Sequence, residues 1–310
     1  MKIKAKFSYN MILLIILALL IVIITIIEPA FFTVRYILQV VLKNIVEIGI
    51  LVLPMALIII SGGIDFAVGS EMLLAGIVGG MAGARFGDTA GLTMTIVAGG
   101  ILGLLNGLLI VKIKVTPMVA TLSTYFLYMG IGRVVSGGES VHGFAAAALI
   151  GTKEIGNVPI QIFIWLALAA VFYYILKYTA TGRKIYAIGL NENGAVYSGI
   201  NVNKIKIVMY TVMGFVASLA AIIYIGRFTS IKYNSASDMN MNVITVAVLG
   251  GLSLNGGKGD IPGVLLGTLI IATLNSGLTV LNIPIAIQTI VQGIVLMLAL
   301  AVGVAMNKRK

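Results

Sequence analysis

Apolar runs of membrane-spanning length recur from one end of this chain to the other. A helix needs about 20 predominantly apolar residues to cross a bilayer, within a range of roughly 17 to 25. Runs and breakers together mark ten segments, at approximately 11–27, 42–61, 70–87, 91–111, 117–135, 161–178, 207–227, 240–254, 263–281 and 285–306. The segments at 70–87 and 240–254 are short and glycine-rich, as expected of a broken or re-entrant passage lined by protein. The longest polar interruption, about 179–206, is too short to bury a core of its own. The fold class expected is an all-α polytopic membrane protein with about ten transmembrane helices, forming a single domain over residues 1–310.

Composition excludes most other classes. Hydrophobic residues make up 60% of the chain and charged residues 10%, against about 25% charged in soluble domains. So few charges could not cover the exterior of a soluble chain of this size. The absence of cysteine removes disulfides, thiol nucleophiles and cysteine-ligated metals. The single histidine, His142, lies in a glycine-rich stretch with no second ligand in view. No metal site and no catalytic cluster is expected.

The formal net charge of +11 does not point to nucleic acid, because the basic residues are spread between apolar runs and not gathered with aromatics in one patch. Excess Lys and Arg in the cytoplasmic loops of membrane proteins have a topological origin. With both termini in the cytoplasm, Lys2, Lys4, Lys6, Lys112, Lys114, Lys177, Arg183, Lys184, Lys204, Lys206, Lys258, Lys308, Arg309 and Lys310 fall inside. Arg35, Lys43, Arg85, Arg133, Lys153, Arg227 and Lys232 fall outside. The two-to-one bias agrees with the positive-inside rule. The apolar run at 11–27 is longer than a usual signal-peptide core and lacks a small-residue cleavage pattern, so a retained first helix is expected.

A weak internal echo links Leu104-Leu105-Asn106-Gly107-Leu108-Leu109 to Thr273-Leu274-Asn275-Ser276-Gly277-Leu278. The two segments cross in opposite directions in this topology, as an inverted repeat requires.

Three polar stretches carry the chemistry. Thr181–Lys206 is basic at both ends and can hold a short helix in its middle, capped by Asn191 or Asn193 and ended by Gly199. It serves either as a connector with topogenic charges or as an exposed element that takes force from a cytoplasmic partner. Ser61-Gly62-Gly63-Ile64-Asp65 places an acid near membrane depth, which is costly and usually functional. Asp65 either caps the next helix at the cytoplasmic boundary or, with Ser61 and Ser70, lines a path for a polyhydroxylated solute. Gly250-Gly251 and Gly256-Gly257-Lys258-Gly259 lack the spacing of a phosphate loop and are expected to form a tight turn.

The same stretches resemble the permease subunits of bacterial ABC importers, in the branch that includes the ribose and xylose systems. That branch carries an Asn-Glu-Ala-Ala element followed by Ser-Gly-Ile-Asn. Here Asn191-Glu192-Asn193-Gly194-Ala195 precedes Ser198-Gly199-Ile200-Asn201, with Asn193 and Gly194 where the family has two alanines. Ser61–Ser70 is similar to the family's signature after the second span. Leu105–Ile110 with Lys112, Pro117 and Ala120-Thr121-Leu122 fits the family pattern, as does Val248–Ser253 with Gly256–Gly259.

The resemblance implies a permease fold and an ATPase-docking role for Glu192, Asn193, Gly194, Ala195, Ser198, Gly199 and Ile200. It implies Ser61, Asp65, Ser70 and Asn106 as candidate pathway residues. It also implies a separate cytoplasmic ATPase carrying ATP and Mg, a second copy or paralogue of the permease, and an extracytoplasmic solute-binding protein. No cofactor is expected in this chain. The function implied is passage of a monosaccharide or similar solute across the inner membrane. The competing expectation is an ion-coupled carrier, for which only Glu47, Asp65 and Glu71 remain as intramembrane acids.

Overall fold

The computed structural model describes residues 9–236 and 238–307, except the side chains at 296 and 298–307. The terminal basic residues Lys2, Lys4, Lys6, Lys308, Arg309 and Lys310, on which the orientation of both ends rested, lie outside the described residues.

In chain order the elements are α1 (Tyr9–Ile27), α2 (Val34–Tyr36), a π-helical stretch (Ile37–Leu42), α3 (Lys43–Ile60), α4 (Val68–Phe86), α5 (Asp88–Lys112) and α6 (Pro117–Val135). Then come β1 (Val141–His142), α7 (Ala145–Thr152), β2 (Glu154–Ile155), β3 (Val158–Pro159), α8 (Ile160–Tyr178), α9 (Ala180–Leu190) and α10 (Glu192–Tyr197). The chain closes with α11 (Val202–Phe228), β4 (Ser230–Ile231), α12 (Met239–Leu249), α13 (Ile261–Val280) and α14 (Ile285–Asn307). The two-residue strands form antiparallel clips, one of which sets His142 opposite Ser230. The histidine is thus part of a strand clip, and no group of metal-ligating residues exists among the described residues.

Each expected span coincides with a helix, and seven helices among the described residues are long and apolar enough to cross a membrane. The second of these begins at Val34, eight residues before the expected start, because the π-helical stretch carries α2 straight into α3. The two segments expected to be irregular are so in different ways. α4 is 19 residues long but follows a non-helical stretch at 61–67. α12 has only 11 residues, about 16 Å of helix, or half a hydrocarbon layer.

Contacts between loops assign the ends of the helices to two sides. Gly257 N donates to Ile60 O at 2.8 Å, Tyr9 Oη to Leu249 O at 2.9 Å, and Tyr186 Oη to Gly259 O at 2.7 Å. The start of α1, the end of α3, α9 and the turn between α12 and α13 therefore share one side, here the docking side. The Gly250–Gly259 stretch is the expected turn. On the opposite side Gly143 N donates to Thr229 O at 2.9 Å and Gln39 Nε2 to Asn157 O at 3.0 Å.

Packing between the long helices is reciprocal. α4 and α5 lie along α11, whereas α12 and α13 lie along α3, and α3 packs against α11 at the centre. α5 meets α11 backbone to backbone: a Cβ on Gly214 would fall 2.0 Å from Gly99 O. α3 is buried along nearly its whole length, including Pro54. On the far side α3 and α11 are joined by a buried ion pair, Arg227 Nη1 to Glu47 Oε1 at 2.7 Å, with Arg227 Nη2 also donating to Asn44 Oδ1 at 2.7 Å. That pair accounts for Glu47, one of the three intramembrane acids.

Candidate functional site

The break between α3 and α4 turns into the protein. After Ile60 the chain leaves the helix, and Asp65 Oδ1 accepts from Ala67 N at 2.8 Å in a local turn before α4. Ser61 Oγ donates to Ile58 O at 2.7 Å and Ser70 Oγ to Ala67 O at 2.8 Å. Both hydroxyls thus finish helix ends. Asp65 was expected either at a membrane boundary or on a path. Asp65 has no exposed surface, and Tyr210 Oη reaches the neighbouring Ile64 O at 3.4 Å from a point eight residues into α11.

Neighbouring helices enclose the break with polar groups. Thr121 of α6 accepts from Phe66 N at 3.0 Å. Asn106 of α5 donates to Glu71 Oε1 at 2.6 Å and accepts from Tyr128 Oη at 3.1 Å. Asn240, on the first turn of α12, accepts from Gly69 N at 2.6 Å. The starts of the two broken helices therefore meet.

Among the four expected pathway residues, Asp65, Ser70 and Asn106 come together, with Ser61 at the entrance of the turn. Sequence reading missed Glu71, Thr121, Tyr128 and Asn240. Glu71 was legible as an intramembrane acid, whereas the others are joined only through the fold. Asp65 Oδ2 and Glu71 Oε2 have no hydrogen-bond partner among the described residues. A buried polar atom without a partner costs on the order of 1–3 kcal/mol, and more when charged.

The second site is the expected docking segment. It is not a loop with one helix but a pair, α9 and α10, followed by a short turn at 198–201 and then α11. α9 escaped sequence reading because its glycines and basic residues read as a linker. Thr179 caps it, and Ile185 and Ile188 are buried. A Cβ on Gly189 would fall 1.8 Å from Ile60 O, so α9 is seated on the end of α3. Burial, with Asp260 adding, raises the Tyr186 phenol above its ordinary pKa, which keeps it a donor to Gly259.

Asn191, and not Asn193, caps α10, accepting from Gly194 N at 2.9 Å. Gly199 ends the helix at φ +80°, where Ile200 N returns to Ala195 O at 3.1 Å; a side chain there is strained. Ala195 is buried against Ile188 and Val202, with Ile200 packed on that cluster, so these two hold the helix from beneath. Glu192, Asn193, Ser198 and Gly199 are exposed, with Gly194 half-buried. Glu192 pairs with Lys206 at 2.6 Å within the chain. Beside them Tyr197 stands 91% exposed, a residue that sequence reading passed over.

Comparison with known proteins places the chain in one family. Residues 37–300 match the family described as branched-chain amino acid transport system / permease component. The chain is 37% identical over 303 residues to the ribose import permease protein RbsC of Escherichia coli strain K12, covering 96% of this chain and 93% of that protein. It is 33% identical to the RbsC of Bacillus subtilis strain 168 over 287 residues, 91% of this chain and 89% of the relative. The autoinducer 2 import system permease protein LsrD of Photorhabdus temperata is 32% identical over 265 residues, 83% of this chain and 80% of that one. No solved structure matches. With its apolar helices and a match over most of its length, the chain is a multi-pass membrane protein that belongs to the ABC-importer permease family.

Proposed function

We propose that this chain is the membrane-spanning subunit of an ATP-driven importer that passes a monosaccharide or a similar polyhydroxylated solute across the bacterial inner membrane, with both termini cytoplasmic. Its relatives that are named for ribose import support the solute class. ATP and Mg reside on a separate cytoplasmic ATPase. An extracytoplasmic binding protein delivers the solute, and two permease copies or a copy and a paralogue enclose the path.

The observation that carries this reading is α10, a short, capped, exposed helix supported from beneath by Ala195, one residue after α9 and one short turn before α11. Such an element moves with its neighbours and not independently of them. Glu192, Asn193, Gly194, Ser198 and Gly199 form its contact surface. Tyr197 is the anchor, since exposed Tyr is a favoured central residue in protein interfaces. Closure of two ATPases displaces α10, and α9 and α11 pass the displacement to α3 and to the polar break. There Asp65, Ser70, Asn106 and Glu71 act on the solute, with the orphan carboxylate oxygens as acceptors for its hydroxyls.

The test is Gly199→Trp, assayed by co-purification with the cognate ATPase and by solute uptake. The expected outcome is normal insertion with loss of both ATPase association and uptake. Normal complex formation together with normal uptake would show that 181–206 is only a connector.

A further inference from the structure

On the docking side, a cavity of about 580 Å³ lies between the end of α8, the first turns of α9, and the starts of α1 and α13. Its rim carries Lys177 and Arg183, and its floor includes Leu176 and Pro262. Neither cation has an acidic partner among the described residues; the ion pairs there are those of Lys206 and Arg227. Lys177 bonds the Tyr173 hydroxyl and lies over the Tyr173 and Tyr178 rings, 4.9 and 5.5 Å from their centroids. Tyr174 packs on Tyr178, with ring centroids 5.8 Å apart. This is the aromatic and basic dressing of a helix end at the level of lipid headgroups.

The one acid in the cavity is Asp260. Its carboxylate is engaged, accepting from Gly263 N at 2.7 Å and from Asn10 Nδ2 at 3.2 Å. Among the described lining residues, two cations against one anion leave a single excess positive charge. That balance fits one phosphodiester monoanion better than a dianionic phosphate. The apolar floor fits the glycerol and first methylenes attached to such a group. The cavity is also distinct from the docking surface, since Arg183 and Leu190 are seven residues apart on α9, about 10 Å, and α10 follows beyond.

We infer that this cavity binds the phosphodiester headgroup of an anionic phospholipid from the leaflet on the docking side, tying the α8–α9 corner to the membrane. The inference needs only that the chain spans a bilayer, and it stands or falls apart from the proposed solute. Lipid bound here sits beside the hinge between α8 and α9, so it braces the element on which α10 rides.

The experiment is native mass spectrometry of the full chain released from nanodiscs containing equal phosphatidylglycerol and phosphatidylcholine. Wild-type protein is expected to retain phosphatidylglycerol preferentially. The double variant Lys177→Gln/Arg183→Gln is expected to lose that preference by about tenfold or more, at roughly 1 kcal/mol per basic residue near a membrane surface. Asp260→Asn keeps a capping residue at α13 and is expected to strengthen retention, an opposite effect that misfolding cannot imitate. Equal retention of the two lipids by the wild type, or an unchanged preference in the double variant, overturns the inference. Displacement of phosphatidylglycerol by millimolar inorganic phosphate or glycerol phosphate also overturns it, in favour of a soluble phosphate.

Discussion

The two halves of the bundle follow one plan and diverge at one point. In each, a long helix (α3 or α11) is followed by a non-helical break, a helix that starts inside the protein (α4 or α12), and two further helices. The corresponding helices run in opposite directions, and each half packs its later helices on the long helix of the other. Each break also carries an acid, and there the likeness ends. Asp65 is wholly buried among groups from α5, α6 and α11, whereas Asp238 is exposed at the start of α12 with no side-chain capping bond. One break is sealed and polar inside; the other is open towards the side away from α10. They meet where Asn240 accepts from Gly69 N, with Met239 and Ala236 O close beside Gly69. On the proposed function, the exposed break serves as the approach and the sealed one as the polar seat.

The comparison can be broken most severely where the halves interlock. Gly214→Leu should prevent α11 from seating on α5, because even a Cβ meets Gly99 O at 2.0 Å; recovery of monodisperse protein should fall nearly to nothing. Gly267→Ala, at the α12–α13 contact, meets Val246 O at 2.7 Å and should leave protein of lowered thermal stability. Equal tolerance of both changes would mean that the halves do not depend on the α5–α11 contact.

Next comes the bond that clamps the halves together on the far side. Arg227→Gln strands Glu47, which is buried, and should destabilise the folded state by about 3–5 kcal/mol. Glu47→Gln/Arg227→Gln should recover much of that, as measured by thermal melts in detergent. A double variant no better than the single would show that Asn44 and the Lys43 carbonyl, not the carboxylate, are what hold Arg227.

The two acids separate the sealed break from the open one more finely. Asp65→Asn keeps the turn to Ala67 and removes a buried charge, so stability should hold or rise. Solute uptake should nevertheless fall about tenfold if the lost carboxylate served a charge-assisted hydrogen bond to the solute. Asp238→Asn should change uptake less than about twofold, as exposed substitutions generally do little. Uptake near the wild-type level in the Asp65 variant would remove that residue from the path. The smallest effect expected is Asn191→Ala, which deletes the α10 cap at a cost of about 0.5–2 kcal/mol to that helix, readable as faster amide exchange confined to residues 192–198.

How much of this was legible in the sequence follows from the kind of signal each part gives. Pro117–Val135 was located to the residue, since Pro at its first turn and the Ser-Gly-Gly after it punctuate an apolar run. α10 was legible from Asn191 and Gly199, because caps are local chemistry. α9 was not, since Gly182 and Gly189 look like breakers until the Ile175 and Leu176 carbonyls are seen pressed against the first, and Ile60 and Gly257 against the second. The cluster of Glu71, Asn106, Tyr128 and Asn240 was half legible: its acids declared themselves by cost, but its amides and phenol are ordinary until helices far apart in sequence converge. The pairing of Glu47 with Arg227, 180 residues away, left no local trace.

The length of α11 sets what a push at α10 can do. The helix runs 27 residues without a proline, and it meets its neighbours backbone to backbone at two glycines, Gly214 against Gly99 of α5 near its middle and Gly226 against Ala147 of α7 near its end. A beam seated at its middle and again near one end does not pivot freely. On the proposed coupling, travel imposed at Val202 is passed to α5 and α7 through these two seats, and the end beside Arg227 moves only together with its packing partners.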